Sequence, residues 1–244
     1  MKKSINLIAF LSLLFLMSCG GGESEVTIGQ TFKVKDLDMA IESVSSHAIL
    51  SDDTRKESLV ASPGHTYLKV RLLTNASNHI MTVFTGEKEL EEADFMDVMH
   101  FVSEDAGPES NYSESFFLIE EGQKIDRIEV RGFGGSATKY ILKDVKYEAV
   151  SDRTVNPKMF AFMEEFSAPQ RLLSIVKKYI SQDVYNVVHE AGSDVPVDPM
   201  LRNFRINYVN PTGTSYSCYA DGLDLVSVDI DWTGDEISSL NFSL

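Results

Sequence analysis

The sequence predicts a mainly β fold, in which an N-terminal antiparallel β-sandwich precedes a small α+β domain. Three observations lead to this prediction. Short segments of alternating apolar and polar residues, separated by turn residues, fill residues 26–150. Apolar residues then recur with helical spacing after residue 157, and alternation with a period of two returns after Pro199. We therefore expect the second domain to carry one or two helices on a four-stranded antiparallel meander.

Residues 1–18 have the pattern of a bacterial signal peptide. Lys2 and Lys3 form a short basic region, and residues 5–16 form a mostly apolar run. This run is shorter than the roughly 20 apolar residues that a membrane-spanning helix needs. The N-terminus is therefore expected to direct export and then to be removed.

The predicted cleavage region contains a cysteine. Ser18 precedes Cys19, and three glycines follow it. This pattern resembles the lipobox of bacterial lipoproteins, although Met17 stands where a smaller residue is commoner in that family. The resemblance implies cleavage before Cys19, transfer of a diacylglycerol to its thiol, and acylation of the new amine by a fatty acid such as palmitate. Such chains would hold the protein on a membrane, whereas the alternative is an ordinary secretory signal with an incidental cysteine.

Residues 19–25 are expected to form the lipidated cysteine and a flexible tether. Three glycines are followed by Glu23, Ser24 and Glu25, with no apolar residue among them. Acidic residues in this place resemble the export tethers of some surface lipoproteins of Gram-negative bacteria. The predicted location is the outer membrane, on the cell surface or on the periplasmic face.

Charge and cysteine content argue against several classes of protein. The formal net charge is −15, so the chain repels nucleic-acid phosphates and anionic lipid headgroups. Membrane attachment is therefore expected to come from acyl chains. If Cys19 is lipidated, Cys218 is the one thiol left, and no intrachain disulfide can form. The strand pattern around Cys218 predicts a buried, unreactive thiol.

Residues 26–150 are interpreted as one sandwich domain because turn residues separate seven or eight short apolar segments. One helical turn is expected at 87–94, where Leu90 and Ala93 stand among acidic residues. Loops such as 48–62 and 86–94 are expected to carry ligand contacts. The predicted strands lie at residues 31–34, 39–44, 67–72, 80–84, 95–102, 116–119, 125–130 and 140–150.

The order of features in this domain resembles a known family. The sequence Ile-Gly-Gln-Thr-Phe at 28–32 is followed by a strand that ends at Val44. The sequence Gly-His-Thr-Tyr-Leu-Lys-Val at 64–70 and then Asn75 come after it. This layout is similar to that of the immunoglobulin-like, telokin-like secreted domains of many bacterial lipoproteins. The resemblance implies an immunoglobulin-like sandwich in an extracytoplasmic setting, and it assigns no site residue.

The polar residues 151–157 are expected to form a linker to an α+β domain at 158–244. Asn156 and Pro157 favour a helix start, because asparagine caps free amides and proline loses no hydrogen bond at the first helical position. The helix that follows is predicted from the spacing of Met159, Phe162, Met163 and Phe166.

A second helix start is expected at Ser167, because Gln170 completes a capping box. Its apolar stripe could continue through Val184 and Val187, or these residues could belong to a strand. The local pattern leaves both alternatives open for residues 184–189.

Four strands are predicted in the last part of the chain, with turns at 210–213, 221–222 and 233–235. The layout is similar to that of small cystatin-like or nuclear-transport-factor-like secreted domains, which is an analogy of fold only. The residues expected to share a face are Phe204, Ile206 and Tyr208; Tyr216, Cys218 and Ala220; Val226, Val228, Ile230 and Trp232; and Leu240, Phe242 and Leu244.

Two segments imitate ligand-binding motifs without completing them. Asp229, Asp231 and Thr233 match the first half of an EF-hand loop, but Leu240 stands where the twelfth-position acid belongs. Residues 132–137 match the glycine pattern of a dinucleotide site, but a strand is expected next where that site needs a helix. Neither segment is predicted to bind its ligand.

No catalytic residue, metal site or cofactor is predicted. The histidines lack the spacing of a zinc site, and the chain has no motif of a nucleophilic serine. The histidines are His47, His65, His79, His100 and His189.

The sequence therefore predicts a non-enzymatic binding or adhesion module on the cell envelope, anchored at Cys19. Its ligand is expected to be an extracellular glycan or protein. A periplasmic helper or protein inhibitor that acts through the C-terminal domain is the alternative. A hydrolase whose site assembles only in three dimensions is the third hypothesis.

Overall fold

The structure, a computed structural model, describes residues 22–34, 37–53, 55–74, 79–93, 112–132, 138–151, 153–166, 177–190, 202–221 and 226–243. Cys19 and the predicted strand at 95–102 lie outside these residues. No helix in the described part of the chain is long and apolar enough to cross a membrane.

The described residues form sixteen strands and two helices. The strands of the N-terminal part are β1 (Glu23–Val26), β2 (Phe32–Val34), β3 (Leu37–His47), β4 (Ile49–Asp52), β5 (Glu57–Val60), β6 (His65–Leu73), β7 (His79–Thr85), β8 (Lys88–Leu90), β9 (Tyr112–Glu120), β10 (Ile125–Gly132), β11 (Lys139–Val145) and β12 (Glu148–Val150). They are followed by α1 (Pro157–Phe166), α2 (Gln182–Glu190), β13 (Arg202–Val209), β14 (Ser215–Asp221), β15 (Val226–Thr233) and β16 (Glu236–Ser243).

Two sheets enclose one core in the N-terminal part, which confirms the predicted β-sandwich. One sheet has the order β1-β11-β10-β7-β8, and the other has the order β12-β3-β6-β9, with β2 beside the start of β3. Neighbouring strands are antiparallel except for the pairs β1 with β11 and β12 with β3. Alternation buries one face of each strand, so that Val70 of β6 and Val130 of β10 meet in the core from opposite sheets.

In the segment 87–94, predicted to hold one helical turn, residues 88–90 form the strand β8 of a hairpin, so that prediction is wrong for the residues that the structure describes. Gly86 has a φ of +60°, which closes a tight turn between β7 and β8. Leu90 then pairs with Val83 in the sheet. Acidic residues around Leu90 suggested an exposed helix, but pairing to a neighbouring strand decided the conformation.

The flexible tether is shorter than the predicted 19–25. Glu23 and Glu25 belong to β1, which pairs in parallel with β11. The Glu25 carboxylate also lies 2.9 Å from the ammonium of Lys143. The sandwich therefore begins several residues earlier than the hydrophobic pattern indicated.

Helix α1 starts where the sequence predicts. The Asn156 side chain accepts a hydrogen bond from the Lys158 amide at 3.0 Å, and Pro157 is the first helical residue. Met159 and Phe162 are fully buried against the C-terminal sheet. The predicted second helix start at Ser167 lies outside the described residues.

The alternatives for residues 184–189 are resolved in favour of a helix, α2. This helix has its own start, because the Ser181 hydroxyl accepts a hydrogen bond from the Val184 amide at 3.3 Å. Just before it, Ile237 of β16 donates a hydrogen bond to the Tyr179 carbonyl, and Ile180 forms a parallel bridge with Ile237. The apolar stripe is therefore interrupted by strand-like pairing before α2.

Strands β13 to β16 form the predicted four-stranded antiparallel meander in sequence order. Tyr216, Cys218, Val228 and Ile230 are buried on the face that α1 covers. Predicting burial from alternation succeeds for these two central strands because both are regularly paired.

On the edge strand β13, burial does not follow the alternation of residues along the sequence. The register shifts between Ile206 and Tyr208, which is the mark of a β-bulge. As a result Val209 is fully buried, whereas Tyr208 is only half-buried. The predicted common face of Ile206 and Tyr208 is therefore wrong, and the freed Tyr208 side chain points to the N-terminal part.

Candidate ligand-binding cleft

The hairpin β4–β5 connects the sandwich to the C-terminal sheet by using both of its faces. Leu50 and Leu59 are opposite each other and pack on Phe116, on the outer face of the sandwich. Ile49 and Val60 are the next opposite pair and face the other way, into the C-terminal core. The segment 48–62, expected to be a contact loop, is thus a structural bridge between two cores.

Arg153, in the segment between β12 and α1, ties this hairpin to β13. Its guanidinium donates hydrogen bonds to the Val209 carbonyl at 2.5 Å and to the Asp53 carboxylate at 2.5 Å. Tyr208 donates a further hydrogen bond to Asp53 at 3.0 Å, and the Val209 amide donates to the Ser58 hydroxyl at 3.2 Å. The hydrogen bond from Arg153 holds the pKa of Asp53 below its ordinary value.

The linker between β12 and α1 also packs against the turn between β13 and β14. The Asn156 amide donates to the Tyr216 hydroxyl at 2.8 Å, and that hydroxyl donates to the Gly213 carbonyl at 2.5 Å. A Cβ atom on Gly213 would lie 2.2 Å from the Thr154 carbonyl oxygen. The linker therefore leaves room only for glycine at position 213.

A cleft of about 540 Å³ lies at this junction, between one end of the sandwich and the start of α1. Residues 60–66, 149–151 and 153–155 contribute most of its walls. Ile49, Val60, Val155 and Phe160 make its lining largely apolar. A volume of this size and a lining of this kind are typical of ligand sites in proteins.

The polar groups in the cleft come from two adjacent turns. The sequence Ser62-Pro63-Gly64-His65 forms a turn in which the His65 amide donates to the Ser62 carbonyl at 3.0 Å. Gly64 has a φ of +78°, which a type II turn needs at its third residue. The Glu121 amide donates to the Gly64 carbonyl at 2.9 Å, so the turn between β9 and β10 is held against the first one.

This arrangement brings a serine, a histidine and a glutamate into one cleft. The Ser62 hydroxyl lies 3.2 Å from Nδ1 of His65, and that nitrogen is 3.3 Å from the Pro63 carbonyl. The two contacts follow from the geometry of the turn, since all three residues belong to it. Glu121 lines the same cleft. The set could take part in proton transfer, or it could bind a polar or cationic group of a ligand.

Tyr147 and Arg153 are fixed by the protein and contribute shape to the cleft. The Tyr147 hydroxyl donates to the Gln123 carbonyl at 2.6 Å. Burial raises the pKa of this phenol above its ordinary value, so that the hydroxyl stays a donor well into the alkaline range. Because their polar atoms already have protein partners, both side chains offer a ligand mainly their apolar or planar surfaces.

Other residues singled out in the sequence lie elsewhere. Cys218 is fully buried in the C-terminal core, and burial raises the pKa of its thiol. Asp229 and Asp231 are exposed on β15, and Asp229 accepts a hydrogen bond from Ser217 at 2.6 Å. In the described ranges, no three His, Cys, Asp or Glu side chains are grouped as metal ligands.

Two further histidines, which are not among the lining residues of the cleft, contact serines. Nε2 of His47 lies 2.8 Å from the Ser45 hydroxyl, and Nε2 of His79 lies 3.4 Å from that of Ser113. The side chains of His100 and His189 lie outside the described part. The sequence alone did not predict the cleft. The Ser-Pro-Gly turn next to His65 was a local signal for only one of its walls.

Comparison with known proteins gives little further information. No protein-family model matches the chain, and no curated protein matches it either. One solved structure is similar, that of an uncharacterized β-sandwich protein from Clostridium difficile 630. The two share 12% identity with a TM-score of 0.32, over 50% of this chain and 94% of the other.

Proposed function

We propose that the protein is a lipoprotein of the cell envelope, anchored through Cys19, that acts as a non-enzymatic binding or adhesion module. Its ligand is an extracellular glycan or protein, and the ligand site is the cleft between the sandwich and α1. The observation that carries this proposal is the cleft itself, about 540 Å³ in volume and largely apolar. The lipid anchor is proposed from the lipobox pattern around Cys19 alone.

The surroundings of the cleft support binding because they hold its walls in place. One wall continues into the hairpin that packs into both cores, and the other contains Arg153 with its hydrogen bonds to Val209 and Asp53. A preorganised site loses little conformational entropy when a ligand binds. We therefore expect specific binding without a large rearrangement of the chain.

The site is tested by filling the cleft. Ser151 is exposed and lines the cleft, so Ser151→Trp places a bulky side chain there without disturbing a core. Ser24→Trp is the matched control, because Ser24 is exposed on β1 at the edge of the other sheet. The full-length protein and both variants are applied to a glycan array and to an array of purified extracellular proteins.

We expect at least one probe on the arrays to bind the wild type and Ser24→Trp with equal affinity. The same probe is expected to bind Ser151→Trp at least tenfold more weakly. Unchanged unfolding midpoints for both variants ensure that the folded state is being compared. Binding that Ser151→Trp leaves intact, or no binding to either array, would overturn the proposed site.

The anchor is tested separately, in cells grown with an alkyne analogue of palmitate. Wild-type protein is expected to take up the label, and Cys19→Ala is expected to lose it and to leave the membrane fraction. Protease treatment of intact cells, with a lysed control, then reports the location. Digestion in intact cells supports adhesion at the surface, whereas protection until lysis favours the periplasmic helper or inhibitor.

Hydrolysis is a second candidate function, favoured by the Ser62–His65 contact of 3.2 Å in the cleft that Glu121 also lines. Turnover of 4-nitrophenyl acetate is the measurement. Ser62→Ala and His65→Ala are compared with His79→Ala, whose histidine contacts Ser113 outside the lining of the cleft. We expect no turnover that depends on Ser62 or His65, and a loss confined to those two variants would replace binding by hydrolysis.

A further inference from the structure

We infer that the cleft binds a sugar unit of a glycan, without a negative charge, through hydrogen bonds to the hydroxyl groups of Ser46 and Thr66. This inference rests on the proposed function, because it names the ligand class of the same site. Its basis is that these two further polar groups line the cleft, are buried, and have no side-chain hydrogen bond within the part of the chain that the structure describes.

The two hydroxyls lie at one end of the sandwich core. Ser46 of β3 pairs with Leu68 of β6, and Thr66 stands two residues before Leu68. Because alternate residues of a strand share a face, Ser46 lies on the face of Val44, and Thr66 lies on the face of Leu68. Val44 and Leu68 belong to the sandwich core. Ser46 and Thr66 are therefore diagonal neighbours on one face, with Cβ atoms about 7 Å apart.

The burial of these hydroxyls indicates that a ligand supplies their partners. Ser46 is 5% exposed and Thr66 is 6% exposed, and buried hydroxyls nearly always have a hydrogen-bond partner. The Ser58 hydroxyl, in a residue that is 8% exposed, lies 2.8 Å from that of Ser51 and accepts from the Val209 amide. Among the described residues, Ser46 and Thr66 have no such partner. Since both line the cleft, a partner can reach them from there.

The chemistry of a hydroxyl favours a ligand that itself carries hydroxyls. Each serine or threonine hydroxyl can donate one hydrogen bond and can also accept. The hydroxyls of a sugar have the same two roles, so the two kinds of group can pair in either direction. An apolar ligand would instead exclude water from Ser46 and Thr66 without replacing its hydrogen bonds, which weakens binding. The pair therefore selects a sugar over a hydrocarbon chain.

Aromatic rings in the cleft suit the faces of a sugar ring. Tyr147 packs against the sandwich core, Phe160 packs against the C-terminal core, and both line the cleft. The Tyr147 hydroxyl is already bonded to the Gln123 carbonyl, so this residue offers its ring. A sugar ring has apolar C–H groups on its faces and hydroxyls at its rim. The cleft therefore offers suitable partners for both parts of a sugar.

The charge of the lining excludes acidic sugars. Glu121 lines the cleft of a chain whose net charge is −15. Arg153 also lines it, but its guanidinium is already paired with the Asp53 carboxylate. A sugar carboxylate would therefore meet repulsion and find no unpaired arginine or lysine among the described lining residues. An amino group could instead pair with Glu121, so the expected sugar is neutral or carries an amine.

The test removes the two hydroxyls without changing the shape of the cleft much. Full-length protein, purified in mild detergent, is first applied to an array of defined glycans with neutral, amino-bearing and carboxyl-bearing ends. The terminal sugar of the strongest binder is then made as a methyl glycoside, together with analogues that each lack one hydroxyl. Affinities are measured by titration calorimetry for the wild type, Ser46→Ala and Thr66→Val. Matched controls are Ser43→Ala, at an exposed position of β3, and Thr82→Val, on β7 of the other sheet.

Ser46→Ala and Thr66→Val are each expected to bind the glycoside at least tenfold more weakly, whereas both controls bind it as the wild type does. Since the lost hydroxyls have no protein partner, the urea midpoints of Ser46→Ala and Thr66→Val are expected to equal or exceed that of the wild type. One deoxy analogue is expected to bind the wild type more weakly than the parent glycoside but to bind Ser46→Ala equally well. A second analogue should behave in the same way with Thr66→Val, which identifies direct contacts.

Unchanged affinity in both hydroxyl variants would overturn the inference, as would deoxy analogues that lose the same factor in every variant. Preferred binding of carboxyl-bearing glycans would also contradict it. Lower urea midpoints in Ser46→Ala and Thr66→Val would show that the hydroxyls stabilise the protein itself, which contradicts their assignment to a ligand. If no glycan binds while an extracellular protein on the other array binds in a manner that depends on Ser151, the proposed function stands and the sugar inference fails.

Discussion

Single residues at the junction decide how closely the linker and the C-terminal sheet approach each other. Gly213 is one of them, since its φ of +69° and its contact with the Thr154 carbonyl exclude any side chain. Gly234, in the turn between β15 and β16, has a similar φ of +61° but open space around its Cα. Alanine substitutions at these two glycines therefore separate the cost of the backbone conformation, which both share, from the cost of close packing, which only Gly213 has.

Gly213→Ala is expected to lower the free energy of unfolding by more than about 2 kcal/mol, because the linker must move away from the new methyl group. Gly234→Ala is expected to cost only about 1 kcal/mol, the typical penalty of a left-handed backbone conformation for alanine. Urea denaturation followed by far-UV circular dichroism measures both values. Equal losses in the two variants would show that Thr154 does not restrain position 213.

Asp53 makes the junction sensitive to acid. The hydrogen bond from Arg153 lowers the pKa of Asp53 in the folded state, although desolvation by neighbouring atoms opposes this shift, and the hydrogen bond from Tyr208 reinforces it. A carboxyl with a lowered folded pKa stabilises the protein above its unfolded pKa of about 3.9. This contribution is lost as the pH falls from there through the lower folded pKa.

We therefore expect Asp53→Asn to be less stable than the wild type at pH 7 and to approach it as the pH falls below about 4. Urea midpoints of the two proteins across this range give the measurement. Arg153→Lys is a useful companion, because lysine keeps the charge but lacks the planar guanidinium that reaches two acceptors. A difference between wild type and Asp53→Asn that stays constant with pH would contradict the assignment.

At the scale of secondary-structure elements, the hairpin β4–β5 has two buried faces. Ile49 faces the C-terminal core and Leu50 faces the outer side of the sandwich, although they are neighbours in the chain. Both side chains are more than nine-tenths buried. Loss of either should therefore create a cavity, but in different parts of the molecule.

Ile49→Ala and Leu50→Ala are each expected to cost about 2–4 kcal/mol of stability. Hydrogen exchange resolved by segment distinguishes them. Ile49→Ala should speed exchange in α1 and β13 to β15, whereas Leu50→Ala should speed it in β6 and β9. The same exchange pattern for both variants would show that the hairpin faces only one core.

At the scale of the whole molecule, the hairpin and Arg153 couple the two parts of the chain. The C-terminal core includes Ile49 from the N-terminal part, and partly buried Val60 packs against it. The unfolding of one part therefore exposes apolar surface of the other. We expect one cooperative unfolding transition rather than two.

Trp232 allows a test, because it is the single tryptophan and lies buried in the C-terminal core. Its fluorescence reports that core, while far-UV circular dichroism is dominated by the sandwich strands. The two signals are expected to give the same urea midpoint in the wild type. In Ile49→Ala, the midpoint measured by tryptophan fluorescence is expected at a lower urea concentration than the midpoint measured by circular dichroism. Two different midpoints in the wild type would contradict the coupling of the two parts.

Much of the fold could be predicted from the sequence because its causes are local. Alternation along β14 and β15 identified the buried positions of Tyr216 and Cys218, and the Asn-Pro pair identified the start of α1. The order of the meander also followed from turn signals between neighbouring strands. In each case the deciding contacts lie within a few residues or between adjacent strands.

Tertiary structure alone decided the junction and its cleft. Arg153 contacts Asp53 across 100 positions, and the Val209 amide contacts Ser58 across 151. The bulge that turns Tyr208 towards Asp53 and the strand pairing of Leu90 likewise depend on partners that periodicity does not reveal. A period indicates which face of an element is apolar, but not which distant surface buries it, and the cleft consists of such distant surfaces.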